Sequence, residues 1–190
     1  MVAAIVPRPI DPLRRKIPRR TPDESPRTEQ RHARATDQGS LGRMRAVLQR
    51  VLSANVQVDQ VIVGQIEQGW LVLLGVEQSD TVESVRWLAE KTVNLRAFAD
   101  DQGKMNRSVL DLAGQVLIVS QFTLAGDCRK GRRPSFDRAA VPEEARKLYE
   151  LFCDQVASMG VHVERGIFQA DMQVTLVNDG PVTFVIDHPQ

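Results

Sequence analysis

The feature that most constrains this chain is the unbroken apolar run Val116-Leu117-Ile118-Val119, which leads into Ser120-Gln121-Phe122-Thr123-Leu124. An alternating pattern would mark a strand with one wet face; a run without alternation marks a strand covered on both faces. A chain built on such a strand needs other elements packed on each side of it. The run turns polar through Ser120, Gln121 and Thr123, with Phe122 keeping an aromatic face among them. Arg129, Lys130, Arg132 and Arg133 follow, spaced by Gly131. A buried strand ending in hydroxyl and amide groups beside a basic loop has the make-up of a floor and rim for an anionic substrate. A central strand that surfaces into a solvated loop has the same make-up, and these residues alone leave both open.

Ala46, Leu48, Val51, Ala54, Val56 and Val58 predict one or two strands, Asp59-Gln60 a turn, and Val61–Ile66 a further strand. Gln68-Gly69 turns again into an apolar strand over 70–76, so the short connections predict an antiparallel meander. Asp80 and Glu83 have capping-box spacing, and Val85, Leu88, Thr92 and Leu95 make one apolar helix face. Residues 95–98 predict a short strand ending at Asp100-Asp101-Gln102-Gly103, and 105–112 a loop. Pro142 suits a first helical position with Glu143 and Glu144 in the first turn; Ala145, Leu148, Phe152, Val156 and Met159 make its stripe, and Gly160 stops it. Three closing strands are expected over 161–163, 173–177 and 182–186, the last two joined by a turn at Asn178-Asp179-Gly180-Pro181. The fold class expected is α+β, with antiparallel β-sheets curled towards a barrel and two main helices.

Charge separates two parts of the chain. Residues 1–43 hold ten Lys and Arg, five acids and six prolines, without any apolar period. That composition predicts a disordered Pro/Arg-rich extension, and the missing apolar segment argues against a secretory signal. Met44 begins the ordered pattern, so the expected domain is 44–190. This body is mildly acidic, with 15 basic and 19 acidic residues, yet four of its cations crowd into 129–133. Local concentration on an acidic background points to a specific phosphate contact more than to a general coating for nucleic acid. Cys128 and Cys153 lack metal or redox spacing, and His32, His162 and His188 are scattered. No cofactor, no metal site and no membrane span are expected, and the compartment is expected to be reducing. Ser120 and Thr123 are candidate nucleophiles, but a hydroxyl needs an adjacent base and the sequence offers none. No Gly-x-Ser-x-Gly elbow or Gly-x-x-x-x-Gly-Lys loop occurs.

Ser120-Gln121-Phe122-Thr123-Leu124 together with Asn178-Asp179-Gly180-Pro181-Val182-Thr183 resembles the two signature motifs of the D-aminoacyl-tRNA deacylase family. The resemblance runs from Met44 to about Asp187 and includes Met44-Arg45-Ala46-Val47, Gly103-Lys104-Met105-Asn106 and the stretch from Arg129 to Phe136. Ala125-Gly126 departs from the family pattern at the pocket rim. The resemblance implies a cytoplasmic homodimer that proofreads translation by hydrolysing the ester of D-aminoacyl-tRNA, and of mischarged glycyl-tRNA. It implies that Ser120, Gln121, Phe122 and Thr123 hold the substrate while the terminal 2′-OH of the tRNA assists catalysis. It implies a cis Gly180-Pro181 bond that enters the partner's site and rejects L side chains. Arg129, Lys130, Arg132 and Arg133 are expected to meet the tRNA acceptor end. Two competing classes are a non-catalytic RNA-binding module, for which 5% aromatic residues is thin, and a hydrolase that uses Thr123 as a conventional nucleophile.

Overall fold

Most of the sheet is tied to one long strand, β1 (Arg45–Val58). The computed structural model describes residues 43–189, so the disorder expected over 1–43 falls, but for Arg43, outside the described residues. Asp59 and Gln60 close β1 with φ of 49° and 66°. Two successive positive φ values are what a two-residue hairpin turn requires. The turn leads into β2 (Val61–Ile66), antiparallel to β1 with Val58 opposite Val61.

The expected meander is corrected at this point. β3 (Gly69–Gly75) does not pair with β2 but returns to the first half of β1, from Arg45 opposite Gly75 to Val51 opposite Gly69. β1 is long enough to seat both shorter strands. The all-antiparallel expectation is corrected too. β6 (Gln115–Ser120) runs parallel to β3, and β7 (His162–Arg165) parallel to β6. Parallel neighbours need a crossover. The first contains α1 (Val82–Asn94) and a small ribbon of β4 (Phe98–Ala99) with β5 (Met105–Arg107), a strand where a loop was expected. The second contains α2 (Pro142–Ser158). The order is β2-β1-β3-β6-β7 with a last strand, β8 (Gln173–Asp187), on β1. The sheet curls until β2 meets β7: a Cβ at Gly64 would lie 2.9 Å from the Arg165 carbonyl oxygen. The α+β class, the barrel-like curl and the two main helices stand.

The double burial of the apolar run is explained by two cores. Trp70, Val72, Leu74, Val116 and Ile118 pack with Val85 and Leu88 of α1 and Phe152 and Val156 of α2. Their neighbours Leu71, Leu117 and Val119 point the other way, into the curl, with Val51, Ala54, Val56 and Ile66. β1 changes which core its even-numbered residues enter between Leu48 and Ala54, where its register against β8 shifts on both sides of Val51. A bulge reverses strand parity in this way.

Pro142 opens α2, with Glu143 and Glu144 in its first turn. The start of α1 differs by one residue. Thr81, not Asp80, is the N-cap, and its N–H donates to Ser84 Oγ at 3.2 Å. Asp80 is engaged instead by the N–H groups of Met44 and Glu77. β8 holds the largest departure. No chain reversal occurs at Asn178-Asp179-Gly180-Pro181; the strand continues antiparallel to β1, and residues 179–182 stand opposite Arg50 alone. Asn178 Nδ2 closes the base of this bulge by donating to Arg50 O at 2.8 Å and Val182 O at 3.1 Å. Asp-Gly therefore shapes a bulge, because β1 offers one unbroken partner strand across it.

The close approach of β3 and β6 supplies a test. A Cβ at Gly69 would sit 1.8 Å from the Gln115 carbonyl oxygen, which is backbone and has nowhere to move. Gly69→Ala is expected to destabilise the fold by more than an ordinary overpacking change, beyond about 3 kcal/mol, read by urea unfolding; a loss within the range of a surface change would refute the tight pairing.

Candidate functional site

The buried strand β6 stops at Ser120, and the polar residues after it do not extend it as the sequence reading had them. Gln121 caps a single 3-10 turn, Phe122–Ala125. The turn is docked on the end of β3: Gln121 N–H donates to Leu74 O at 2.7 Å, and a Cβ at Gly75 would lie 2.8 Å from Leu124 Cβ. Leu124 N–H returns to Gln121 O and Gly126 N–H to Thr123 O, so the turn is closed at its far end. The N–H groups of Phe122 and Thr123 are the donors that the start of a helical turn leaves without an intrahelical partner.

Ser120, Gln121 and Phe122 line a cavity of about 520 Å³. Leu74, Val76, Val119, Met172 and Val174 give it apolar lining, with Ala139 and Ala140 and with Pro142, Ala145 and Tyr149 of α2. Phe168, Gln169 and Ala170 complete the wall. Thr123 is not among the lining residues and is exposed; its hydroxyl accepts a bond from Gln121 Nε2 at 2.5 Å. Among the described residues no imidazole or carboxylate is hydrogen-bonded to that hydroxyl. Phe122 is 61% exposed and packs on Phe136, ring centroids 5.0 Å apart. Gly126 closes against the same ring, where a Cβ would lie 3.2 Å from Phe136.

Sequence reasoning missed most of the wall. Tyr149 is the chain's single tyrosine and falls between Ala145 and Phe152 at helical spacing, so the stripe on α2 held the signal for it. Its hydroxyl donates to Ile118 O at 2.9 Å and lies 3.3 Å from Gly166 O. Burial pushes the phenol well above its usual range, which keeps it a donor. Burial likewise pushes the neighbouring Cys153 thiol up to about 12, so it is inert. Phe168 and Gln169 lie between strands, where no period marks them. Arg146 fixes them, with its guanidinium 4.9 Å from the Phe168 ring centre and its NH2 3.2 Å from Gln169 Oε1.

The four basic residues lie on a loop beyond the turn, pinched at its base by Asp127 and Ser135, whose backbones exchange bonds of 2.7 and 3.0 Å. Gly131 at its tip has φ 70° and nothing within 4 Å of where a Cβ would stand. Arg129 differs from the other three. It grips Asp127 through Nε and NH2, the latter at 2.7 Å, and this holds the Asp127 carboxyl far below the usual range. Lys130, Arg132 and Arg133 are exposed.

The structure does not bring Gly180 and Pro181 to this cavity. The pair is exposed, its peptide bond is cis, and Gly180 has φ 116°. Arg50 braces the bulge, with Nε 2.8 Å from Asp179 Oδ2 and NH1 donating to Ala97 O at 2.6 Å. In the β1–β3 register Arg50 faces Trp70, whereas the 3-10 turn sits at Leu74 and Gly75, opposite Ala46 and Arg45. The span from Arg45 to Arg50 is about 17 Å of strand. Among the described residues no group of three His, Cys, Asp or Glu side chains is placed to hold a metal ion, and no helix is long and apolar enough to cross a membrane.

The family model described as D-Tyr-tRNA(Tyr) deacylase matches residues 47–187. A protein of Geotalea daltonii named D-aminoacyl-tRNA deacylase is 60% identical over 147 residues, covering 77% of this chain and 98% of the relative. One of the same name from Fervidobacterium nodosum is 60% identical over 144 residues, covering 76% and 97%. Among solved structures, c-Myc DNA Unwinding Element Binding Protein is similar at 38% identity with a TM-score of 0.73, over 77% of this chain and 100% of the other. A probable eukaryotic D-amino acid tRNA deacylase shares the fold at 20% identity and a TM-score of 0.68, with the same coverage.

Tyr149 ties the cavity wall to β6, which makes its hydroxyl testable. Tyr149→Phe removes the donor to Ile118 O and Gly166 O and is expected to cost about 1–3 kcal/mol, measured by urea denaturation. An unchanged midpoint would show that these bonds do not hold the wall.

Proposed function

The chain belongs to the D-Tyr-tRNA(Tyr) deacylase family and is a hydrolase, a D-aminoacyl-tRNA deacylase; on that premise we propose that it cleaves its ester with help from the substrate's own 2′-OH and selects against L-amino acids with a second copy of itself. The observation behind the first part is a polar turn beside an apolar cavity in which, among the described residues, no protein base is bonded to Thr123. Covalent catalysis by Thr123 needs a neighbour to take its proton, and the Gln121 amide, a donor here, cannot. Ester hydrolysis can still be accelerated by holding the scissile carbonyl in place and aiming donors at the oxygen that gains charge. The N–H groups of Phe122 and Thr123 are such donors, and the terminal ribose carries a hydroxyl next to the ester. Ser120, Gln121, Phe122 and Thr123 thus position the substrate, without one of them attacking it.

The second part follows from distance. The Gly180-Pro181 bulge lies opposite Arg50, about 14 Å of strand from Ala46, the partner of Leu74 beside the turn, and neither residue lines the cavity of its own chain. It is exposed, braced by Arg50 and flanked along β8 by Val177 and Val185, 51% and 62% exposed. A rigid, exposed bulge between exposed aliphatic residues suits insertion into another molecule. In a homodimer it would lie against the substrate's α-carbon and leave no room for an L side chain, while a D side chain points outward and glycine passes. A clash built against the wrong substrate is one of the two ways a site discriminates. Lys130, Arg132 and Arg133 meet the phosphates of the tRNA acceptor end, and the enzyme works in translation quality control in the cytoplasm.

A nucleic-acid-binding role without catalysis is the second reading, since one similar solved protein carries DNA binding in its name. It gives no use to the 520 Å³ cavity behind Phe122.

The deciding measurement is release of free amino acid from matched D- and L-aminoacyl-tRNA. Turnover of the D substrate alone is expected, and Thr123→Ala is expected to keep measurable turnover, whereas a tRNA ending in 2′-deoxyadenosine should be nearly inert. A trapped acyl-threonine would restore covalent catalysis, and absence of all hydrolysis would favour the binding role. For selectivity, a Gly180 variant that is still folded and dimeric is expected to begin hydrolysing the L substrate; one that rejects it as well as the unaltered enzyme does would place the filter elsewhere. Sedimentation of the unaltered protein as a monomer would remove the basis for a filter acting from a second copy.

A further inference from the structure

Where β1 begins, the chain enters between two acids, and nothing in the deacylase chemistry uses them. Met44 is completely buried. Its backbone N donates to Asp80 Oδ1 at 2.6 Å, short even for a charge-assisted N–H···O bond. Asp80 Oδ2 accepts Glu77 N–H at 2.7 Å, and Met44 O accepts His188 N–H at 2.9 Å. Glu77 is itself only 4% exposed, and its Oε2 finds no hydrogen-bond partner among the described residues. The nearest cation to it, Arg138, stands off with Nε at 3.9 Å, and that nitrogen is likewise unpartnered. Arg45, the next residue along, is committed to Asp187, with NH2 at 2.8 Å from Oδ2. Glu77 and Asp80 line a cavity of about 430 Å³ together with Thr81, Glu83 and Glu144.

The pair is therefore short of positive charge. Two carboxylates are withdrawn from water; Asp80 is met by the amides of Met44 and Glu77 and the Ser84 hydroxyl, and Glu77 by the Arg43 amide, all neutral donors, while Arg138 stands at 3.9 Å. Burial raises the pKa of both acids, as it does for carboxylates that lack a full counter-charge. A buried acid without a full counter-charge is costly, and the usual remedy is a cation with donors to spare. We infer that the Glu77–Asp80 pair is a binding site for a free α-ammonium on Met44, and that the working chain has Met44 as its amino terminus. An ammonium at the same nitrogen keeps the short bond to Asp80, adds a full positive charge and brings two further donors to an acid pair whose cation, Arg138, stands 3.9 Å away. It arises either by initiation at Met44 or by hydrolysis of the Arg43–Met44 peptide bond, in which water adds across the bond to leave a carboxylate on Arg43 and the ammonium on Met44. Arg43 is exposed and is the residue type after which trypsin-like proteases cut.

The charge makes the inference testable apart from activity. The shorter chain is a reasonable unit to test, since the described residues fall in one compact unit and 147 aligned residues make up 98% of the Geotalea daltonii relative. Thermal melts would compare this chain with a free α-amine and the same chain Nα-acetylated, each with and without Asp80→Asn, from pH 6 to pH 10.5. The groups facing the amine are Asp80, Glu77, Arg45, Arg138 and His188. Facing two acids, the folded α-amino pKa lies above its ordinary value of roughly 7.7–8.0. Its stabilisation is then complete below that ordinary value and disappears as pH rises through the folded one. At pH 7 the free-amine chain is expected to melt higher by on the order of 3 °C, the gap closing towards pH 10.5 and absent in Asp80→Asn. Equal melting at pH 7, a gap independent of pH, or one unchanged by Asp80→Asn would overturn the site. If the Asp80 variant does not fold, NMR titration of the Met44 α-amine decides: a value above the ordinary range supports the site, and one at or below it refutes it. Intact mass of protein recovered from cells carrying the full reading frame should show chains beginning at Met44. Met44→Leu removes the internal start and Arg43→Gln the cleavage, so whichever abolishes the short chain names its source; if every chain keeps residues 1–43, the inferred terminus is wrong.

Discussion

The close parallel pairing of β3 with β6 is the contact on which the rest of the molecule depends. It holds only because the backbones can touch at both ends of β3. At Gly69 a side chain would strike Gln115 of the neighbouring strand, and at Gly75 it would strike Leu124. The second contact places the site. Once β6 lies beside β3, Gln121 N–H has Leu74 O to bond, and the chain must leave the sheet in the turn that opens on the cavity. Each face of the two strands then has its own core, helices on one side and the curled sheet on the other. The same pairing that buries Val116–Val119 therefore ends the strand where polar groups are needed. Fold stability and site geometry are here one constraint.

The two ends of β1 have opposite duties. Near Arg45 it is tied to Asp187 and lies beside the turn, since an Arg45 nitrogen is 3.5 Å from Leu124 O. Near Arg50 it carries the bulge of β8, with the guanidinium divided between Asp179 and Ala97 O. Arg50 is largely buried, its side chain 11% exposed, so its charge must be met by specific acceptors. That brace makes the bulge a fixed projection, and a fixed projection is what a steric filter requires, because a flexible one would give way to the side chain it should reject. The separation of the bulge from the turn and the bracing of the bulge come from the same strand.

The elements legible in the sequence were those set by local chemistry. Asp59-Gln60 read as a turn, Pro142 as a helix start, Gly160 as its end, and the apolar run as doubly buried. What was not legible depended on partners far away in the chain. The Asp179-Gly180 pair reads as a hairpin wherever the chain has no other strand to follow; β1, more than 120 residues earlier, keeps β8 extended through it. The parallel order β3-β6-β7 was hidden because the first crossover mixes a helix with a small ribbon. Ser120, Gln121 and Phe122 line the cavity, but their backbone turns where a continuing strand was expected. Phe168 and Gln169 were missed because loop residues joined to Arg146 by stacking and a single amide contact leave no period behind.

The basic loop shows how far charge alone can carry substrate choice. Four cations were counted from the sequence, but Arg129 is clamped to Asp127, so its charge is largely answered within the loop. Three cations then face outward, on a body that is otherwise acidic. For single-stranded nucleic acid the logarithm of affinity falls with the logarithm of salt by roughly 0.7 per phosphate neutralised. Three contacts give a slope near 2, far below that of proteins that bind nucleic acid by charge. An enzyme that must meet every charged tRNA and leave nearly all of them intact gains nothing from a strong backbone grip, which would hold correct and incorrect substrates equally. Discrimination has to come from groups that touch the α-carbon and the ester, which in the proposed function are those of the turn and the exposed bulge. If the loop meets tRNA as proposed, the Asp127–Arg129 pair does more than shape it: by answering one of four cations it weakens general attraction, so that the cavity, not the charge, would decide which ester stays long enough to be cut.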